Sequence, residues 1–300
     1  MSRVPEIGPT SGPQPDPVPG ARPGRGMRRR PLGASLIVGG VLVALVVLMA
    51  LVSYVWTPWD PTFVNAADRL QGFSSRHWLG TDKFGRDVFS QILMGARTTL
   101  FVGVVAVGVS AIIGVPLGIV AAMASRWTGE ALMRGNDLLL AFPALLLAIM
   151  FSAIYGGSTL VAMVAIGIAT VPSFVRLVRS GSLQVMRSEY VLAARAAGRR
   201  PFAIGLKHVL PNVGPLVIVQ ASVAFAIAVL AEAALSFLGL GTPAPTPSWG
   251  RMLQESQELL FVAPRLCIIP GIAIAIAVLG FNLLGDGLRD YLDPRLDDRR

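Results

Sequence analysis

Few residues in this chain of 300 are set up for covalent chemistry. The two histidines, His77 and His208, stand too far apart in sequence to suggest a metal cage. There is no His-Glu-x-x-His, no Gly-x-Ser-x-Gly and no pair of aspartates within an apolar stretch. No catalytic residue and no metal ligand is therefore assigned. A phosphate-binding P-loop needs a lysine directly after glycine. The chain has only Lys83 and Lys207, which follow Asp82 and Leu206, so it encodes no nucleotide site of its own. Cys267 is the single cysteine, which excludes an internal disulfide.

The side chains that stand out are charges set against apolar surroundings. Asp82, Arg86 and Asp87 crowd a glycine-rich segment, with Gly80 and Gly85 favouring turns. Asp286, Arg289 and Asp290, followed by Asp293 and Arg295, close the last apolar stretch. Glu232 is the one carboxylate reached before the span predicted near 211–236 ends. The elements that carry these groups decide what they can do.

Of all residues 53% are hydrophobic and 14% charged, against nearer a quarter charged in a soluble domain. The net charge of +9 would suggest nucleic acid in a soluble protein. Its distribution points instead to a membrane, and nucleic acid is not an expected partner. Residues 1–30 are rich in proline and glycine and end in Arg28-Arg29-Arg30, which reads as a disordered tail. Residues 31–59 carry no charge and are long enough for one crossing, an uncleaved anchor rather than a signal peptide. The uncharged stretches 98–125, 138–175, 208–231 and 266–285 follow, and the second breaks at Gly156-Gly157-Ser158. Six spans are predicted, near 34–57, 98–124, 138–155, 159–177, 211–236 and 266–286, with an external loop over 61–96 and a core from 97 to 300. With both termini inside, 19 of the 26 lysines and arginines face the cytoplasm and 7 face out. The expected protein is all-α, multi-pass, in contact with lipid, with cytoplasmic N- and C-termini. Gly114 and Gly118, flanking Pro116, read as a packing contact or kink rather than a dimer motif.

The loop over 176–211 is too polar to cross and too patterned to be a linker. Ser188 is placed to cap a helix and Glu189 to favour its N-terminus. Tyr190 to Ala197 are good helix formers, Gly198 supplies a stop, and Pro201 opens a second helix toward Pro211, where the fifth span begins. Ala193, Ala194 and Ala197 form a small-residue face suited to docking in a groove.

Residues 193–211, Ala-Ala-Arg-Ala-Ala-Gly, nine residues, then His-Val-Leu-Pro, resemble the Glu-Ala-Ala loop of binding-protein-dependent importer permeases. Leu192 stands at the family's glutamate and His208 at its isoleucine, so the resemblance rests on the shape of the helix and not on an acidic contact. His77-Trp78-Leu79-Gly80-Thr81-Asp82 with Gly85-Arg86-Asp87 resembles a signature of the dipeptide, oligopeptide and nickel permease group, with Trp78 replacing a proline. The runs 231–241, 245–250 and 282–295 resemble that group's C-type permease.

The resemblance implies a type I ABC importer permease with six transmembrane helices in a bacterial inner membrane. It implies a second homologous permease, two ATP-binding-cassette ATPases and an extracytoplasmic substrate-binding protein as partners. ATP and Mg would sit on the ATPases, and the cargo would be a dipeptide or oligopeptide, with nickel or another small solute as the alternative. Glu189, Tyr190, Ala193, Ala194, Ala197, Gly198, Leu210 and Pro211 would carry ATPase coupling. Glu232, Ser236 and Phe237 are gate candidates. For Glu232, a place at the outer gate or against a peptide's amino terminus stands beside a hydrated helix-end carboxylate or a pair with arginine. Asp82, Arg86 and Asp87 are expected to brace the start of span 2, and Asp286, Arg289 and Asp290 to form an ion-pair cluster. A secondary transporter would more often show repeats and several buried ionisable groups, and a channel a filter or charged ring.

Overall fold

The computed structural model describes residues 33–292, so the tail at 1–30 and Asp293 and Arg295 lie outside the described residues. The helices there are α1 (Ala34–Val55), α2 (Val88–Met123), α3 (Arg126–Ala141), α4 (Ala144–Tyr155) and α5 (Thr159–Val185). They continue with α6 (Glu189–Ala196), α7 (Pro201–Ile204), α8 (Leu210–Phe237), α9 (Trp249–Ser256) and α10 (Arg265–Leu292). Among the described residues the only β contact is an isolated bridge between Thr81 and Asp87.

Among the described residues five helical stretches are long and apolar enough to cross a membrane: α1, α2, α5, the run Pro201–Phe237, and α10. The span expected at 138–155 is not one straight helix. α3 and α4 meet at 81°, because Pro143 lacks an N–H and drives Phe142 into extended backbone, φ −88° and ψ 128°. Taken as one broken span, the pair is the sixth.

α2 begins at Val88, well before the expected 98. Arg97, the charge that set the expected boundary, reaches back to α1 instead. Its guanidinium donates to the Ser53 carbonyl and lies 3.7 Å from the Tyr54 ring centre, so the charge is accommodated inside the helix. α5 likewise runs to Val185, past the expected 177.

α2 lies along α5, α1 along α10, and α8 touches α2, α5 and α10. Small residues set these approaches, since lipid gives helices no hydrophobic drive to associate. A methyl group at Gly114 would stand 2.6 Å from Phe174 Cβ, and one at Gly118 2.8 Å from Val178 Cβ. The Gly114–Gly118 pair therefore packs within the chain, on α5. Ile37, Val41, Leu48 and Leu51 of α1 remain exposed, an apolar face that suits hydrocarbon. Three buried clusters form the core. The first holds Trp249 and the stacked Phe225 and Phe281, the second Met163 and Leu235, the third Phe174, Val191 and Ile204.

Candidate functional site

At one end of the bundle α5, α6 and α7 form a hairpin. Val191 is its buried anchor, packed in a cluster with Phe174, Met186, Ile204, Val209 and Val213. The α6 stop is a Schellman turn: Gly198 N–H donates to the Arg195 carbonyl at 2.9 Å and Arg199 N–H to the Ala194 carbonyl at 3.1 Å. Gly198 adopts φ +74°, a conformation that a Cβ opposes. Ala193 and Ala197 are exposed and Ala194 half-buried, and Leu192 and Tyr190 are exposed beside them. The Tyr190 ring lies 6.0 Å from that of His208, tying α6 to the opposite arm. Glu189 is exposed in the first turn of α6.

Two expectations for this hairpin are corrected. Ser188 sits at the N-cap but makes no side-chain cap bond; its hydroxyl donates to the Val185 carbonyl at 2.6 Å, a closer acceptor at the end of α5. The second helix also does not stop for a new one at Pro211. A π turn at Gly205–Val209 joins α7 to α8, and Leu210 N–H donates to the Gly205 carbonyl. The wider turn admits the Pro211 ring without a break. Asn212 Nδ2 covers the His208 carbonyl at 2.7 Å. Leu210 is half-buried and Pro211 exposed.

At the far end of α8 lies Glu232, 1% exposed. It is buried from bulk solvent, and among the described residues no arginine pairs with it. Ser236 Oγ donates to Glu232 Oε1 at 2.6 Å, and Thr242 Oγ1 approaches the same atom at 3.4 Å. Thr242 N–H in turn donates to Ser236 Oγ at 3.0 Å. The segment after α8 folds back over the helix end to bring these hydroxyls in. Trp249, fully buried, pins that segment by donating to the Ile92 carbonyl at 3.1 Å. Phe237 is partly exposed and lies outside this set.

The polar contacts continue from there. Arg251 Nη1 donates to the Thr242 carbonyl at 3.3 Å and Arg251 Nε to Glu255 Oε1 at 2.8 Å. Glu255 Oε2 pairs with Arg86, whose Nε lies 2.6 Å from Asp82 Oδ2. Gln91 Nε2 also donates to Asp82, at 3.1 Å. One chain of contacts thus joins Glu232 on α8 to the start of α2. Arg251 and Glu255, four apart on α9, were not singled out in the sequence; their i,i+4 spacing is the signal that could have found them. Asp87 stands apart from this chain. It accepts from the Ser90 N–H at 2.8 Å as the cap of α2, worth ~1 kcal/mol, and lies 2.9 Å from His77 Nδ1. Elsewhere in the segment between α1 and α2, hydrogen bonds from the Thr62 hydroxyl and amide lower the Asp60 carboxyl below its ordinary value.

Asp286, Arg289 and Asp290 are exposed on the last turns of α10, and among the described residues no ion pair joins them. The expected cluster is not formed by these three. Charges standing in water gain little from pairing, ~0–1 kcal/mol, against the entropy of fixing long side chains. Among the described residues no three His, Cys, Asp or Glu side chains gather as a metal site.

An all-helical bundle of several apolar spans with a capped hairpin at one end defines a multi-pass membrane protein. A family described as binding-protein-dependent transport system inner membrane component matches residues 114–298, taking in the hairpin and the Glu232 region. The chain is 45% identical over 260 residues to the dipeptide transport system permease protein DppC of Alkalihalophilus pseudofirmus, covering 87% of this chain and 86% of that protein. It is 41% identical over 261 residues to the glutathione transport system permease protein GsiD of Pectobacterium atrosepticum, covering 87% of each. An inward-facing structure of the MetNI methionine ABC transporter shares the fold, with TM-score 0.57 and 18% identity over 68% of this chain and 97% of that one. The chain belongs to the family of binding-protein-dependent transport system inner membrane components. It is a multi-pass protein of the plasma membrane.

Proposed function

We propose that this chain is a permease subunit of an ATP-driven peptide importer. With a second, homologous permease it lines the pathway, while a soluble binding protein delivers cargo to the outer face. Two ATPase subunits, which hold ATP and Mg, dock on the inner face, and the chain itself carries out no bond chemistry. The observation that supports this most is the hairpin. Ala193 and Ala197 stand exposed on α6 with Ala194 half-buried between them, and the second arm runs without a break into a helix long and apolar enough to span a membrane. A displacement applied to α6 and α7 is therefore passed to α8 along a helix axis. The cytoplasmic placement of both termini and of the hairpin follows from the lysine and arginine distribution.

The cargo assignment draws on relatives whose names specify dipeptide and glutathione transport, the latter cargo itself a small peptide. A strain lacking this system, complemented with the gene cluster, is expected to accumulate labelled di- and tripeptides, glutathione among them, and not nickel. Nickel uptake with no peptide uptake would overturn the peptide assignment.

A further inference from the structure

Between the inner end of α2 and the α7–π-turn arm lies an apolar groove enclosing about 500 Å³, a size that suits one apolar chain. Pro116, Val120 and Met123 form one wall, and Phe202, Leu206 and Leu210 the other. Phe202 is 81% exposed, and Val120 and Leu206 are each 53% exposed, so the groove is open along its length. Gly205 keeps it deep, since a Cβ there would meet Met123 Sδ at 3.3 Å.

Three features of the groove agree on one occupant. Its walls run from Ala124 and Pro201 at the water end to Val115 and Leu210 inside the bundle. Nine residues of helix rise about 13 Å, close to half of the ~30 Å hydrocarbon core, which is one leaflet. The water end also carries cations: Arg199 and Arg200 immediately precede Pro201, while Arg126, two residues beyond Ala124, is already paired with Glu130 at 3.2 Å. Among the described residues no carboxylate pairs with Arg199 or Arg200, and both are exposed. Cations at the water level above a leaflet-deep apolar slot match a phospholipid with an anionic headgroup.

We propose that this groove holds an acyl chain of an anionic phospholipid from the cytoplasmic leaflet, its phosphate against Arg199 and Arg200. The proposal rests on the orientation given above. Because the π-turn arm is one wall, the bound lipid would brace the same helix that the ATPases are proposed to move, making coupling sensitive to membrane composition.

The test uses the full-length chain, purified in mild detergent and mixed with vesicles carrying acyl-diazirine phosphatidylglycerol or phosphatidylcholine. Light is expected to label peptides spanning 115–124 and 201–210, with phosphatidylglycerol favoured by about fivefold per arginine engaged. Val120→Trp, which fills the slot from an exposed position, should remove that label. Arg200→Glu should abolish the preference for phosphatidylglycerol while leaving acyl labelling in place. Unchanged gel-filtration profiles would show that both variants fold, and Leu206→Trp serves as a second filling variant. Equal labelling by the two lipids in the wild type would overturn the proposal. So would labelling elsewhere that ignores the filling variants, or a photo-crosslink from position 120 to another polypeptide. The readout needs no transport, so a failed peptide assignment leaves it standing.

Discussion

Glu232 shows what a single residue's surroundings decide. Its carboxyl group is buried under hydroxyls from Ser236 and Thr242, so its first task is to accept their hydrogen bonds and hold the segment after α8 in place. Glu232→Gln keeps an oxygen in that position and is expected to leave thermal stability and uptake near wild type. Glu232→Leu leaves Ser236 and Thr242 without their acceptor, at about 1–3 kcal/mol, and should lower the melting point of the detergent-solubilised protein. If Gln abolished uptake at an unchanged melting point, charge or proton transfer at Glu232 would matter instead. The position of this carboxylate near a helix end was legible in the sequence. Its partners were not, because Thr242 reaches it only through a chain reversal that local pattern does not encode. The same limit applied to Arg86, where Asp82 lies four residues away and was anticipated, but Glu255 comes from a distant helix.

The hairpin is the most informative element, and its local signals were the clearest. A glycine stop and a proline start are properties of backbone geometry, and both appear where the residue types place them. What the sequence concealed lies where tertiary contact overrides a local rule. Arg97 is absorbed into α2 by a cation–π contact with α1, and Pro211 is tolerated inside a long helix by a preceding π turn. Pro143 did the opposite and broke an apolar stretch that looked continuous. Gly198→Pro would remove both the N–H bonded to Arg195 and the φ of +74°. It should reduce uptake to a small fraction of wild type, and a tryptophan at Ala194 should do the same by filling the docking face. Chain levels in the membrane should stay near normal in both cases. Normal uptake by these variants would remove the coupling role from the hairpin.

For the whole molecule, composition and charge asymmetry already pointed to a multi-pass protein, because hydrocarbon enforces a long uncharged helix for every crossing. The order of contacts between helices came only with the structure, since small residues appear all along the spans and only some of them meet a partner. Orientation can be measured directly. After Cys267→Ala, a cysteine at Lys83 should react with an impermeant maleimide on intact spheroplasts, and one at Arg199 only after permeabilisation. The reverse pattern would invert the topology. The run from Pro201 to Phe237 has 37 residues, about 55 Å of helix, with the hairpin at one tip and Glu232 near the other. Such a beam answers a push by tilting, and a tilt of about 5° about one end moves the other by about 5 Å. The Glu232 tip is tethered through Thr242, Arg251 and Glu255 to the start of α2. While the tether holds, α9 and the base of α2 travel with it, so movement at that end would be a concerted shift of three elements.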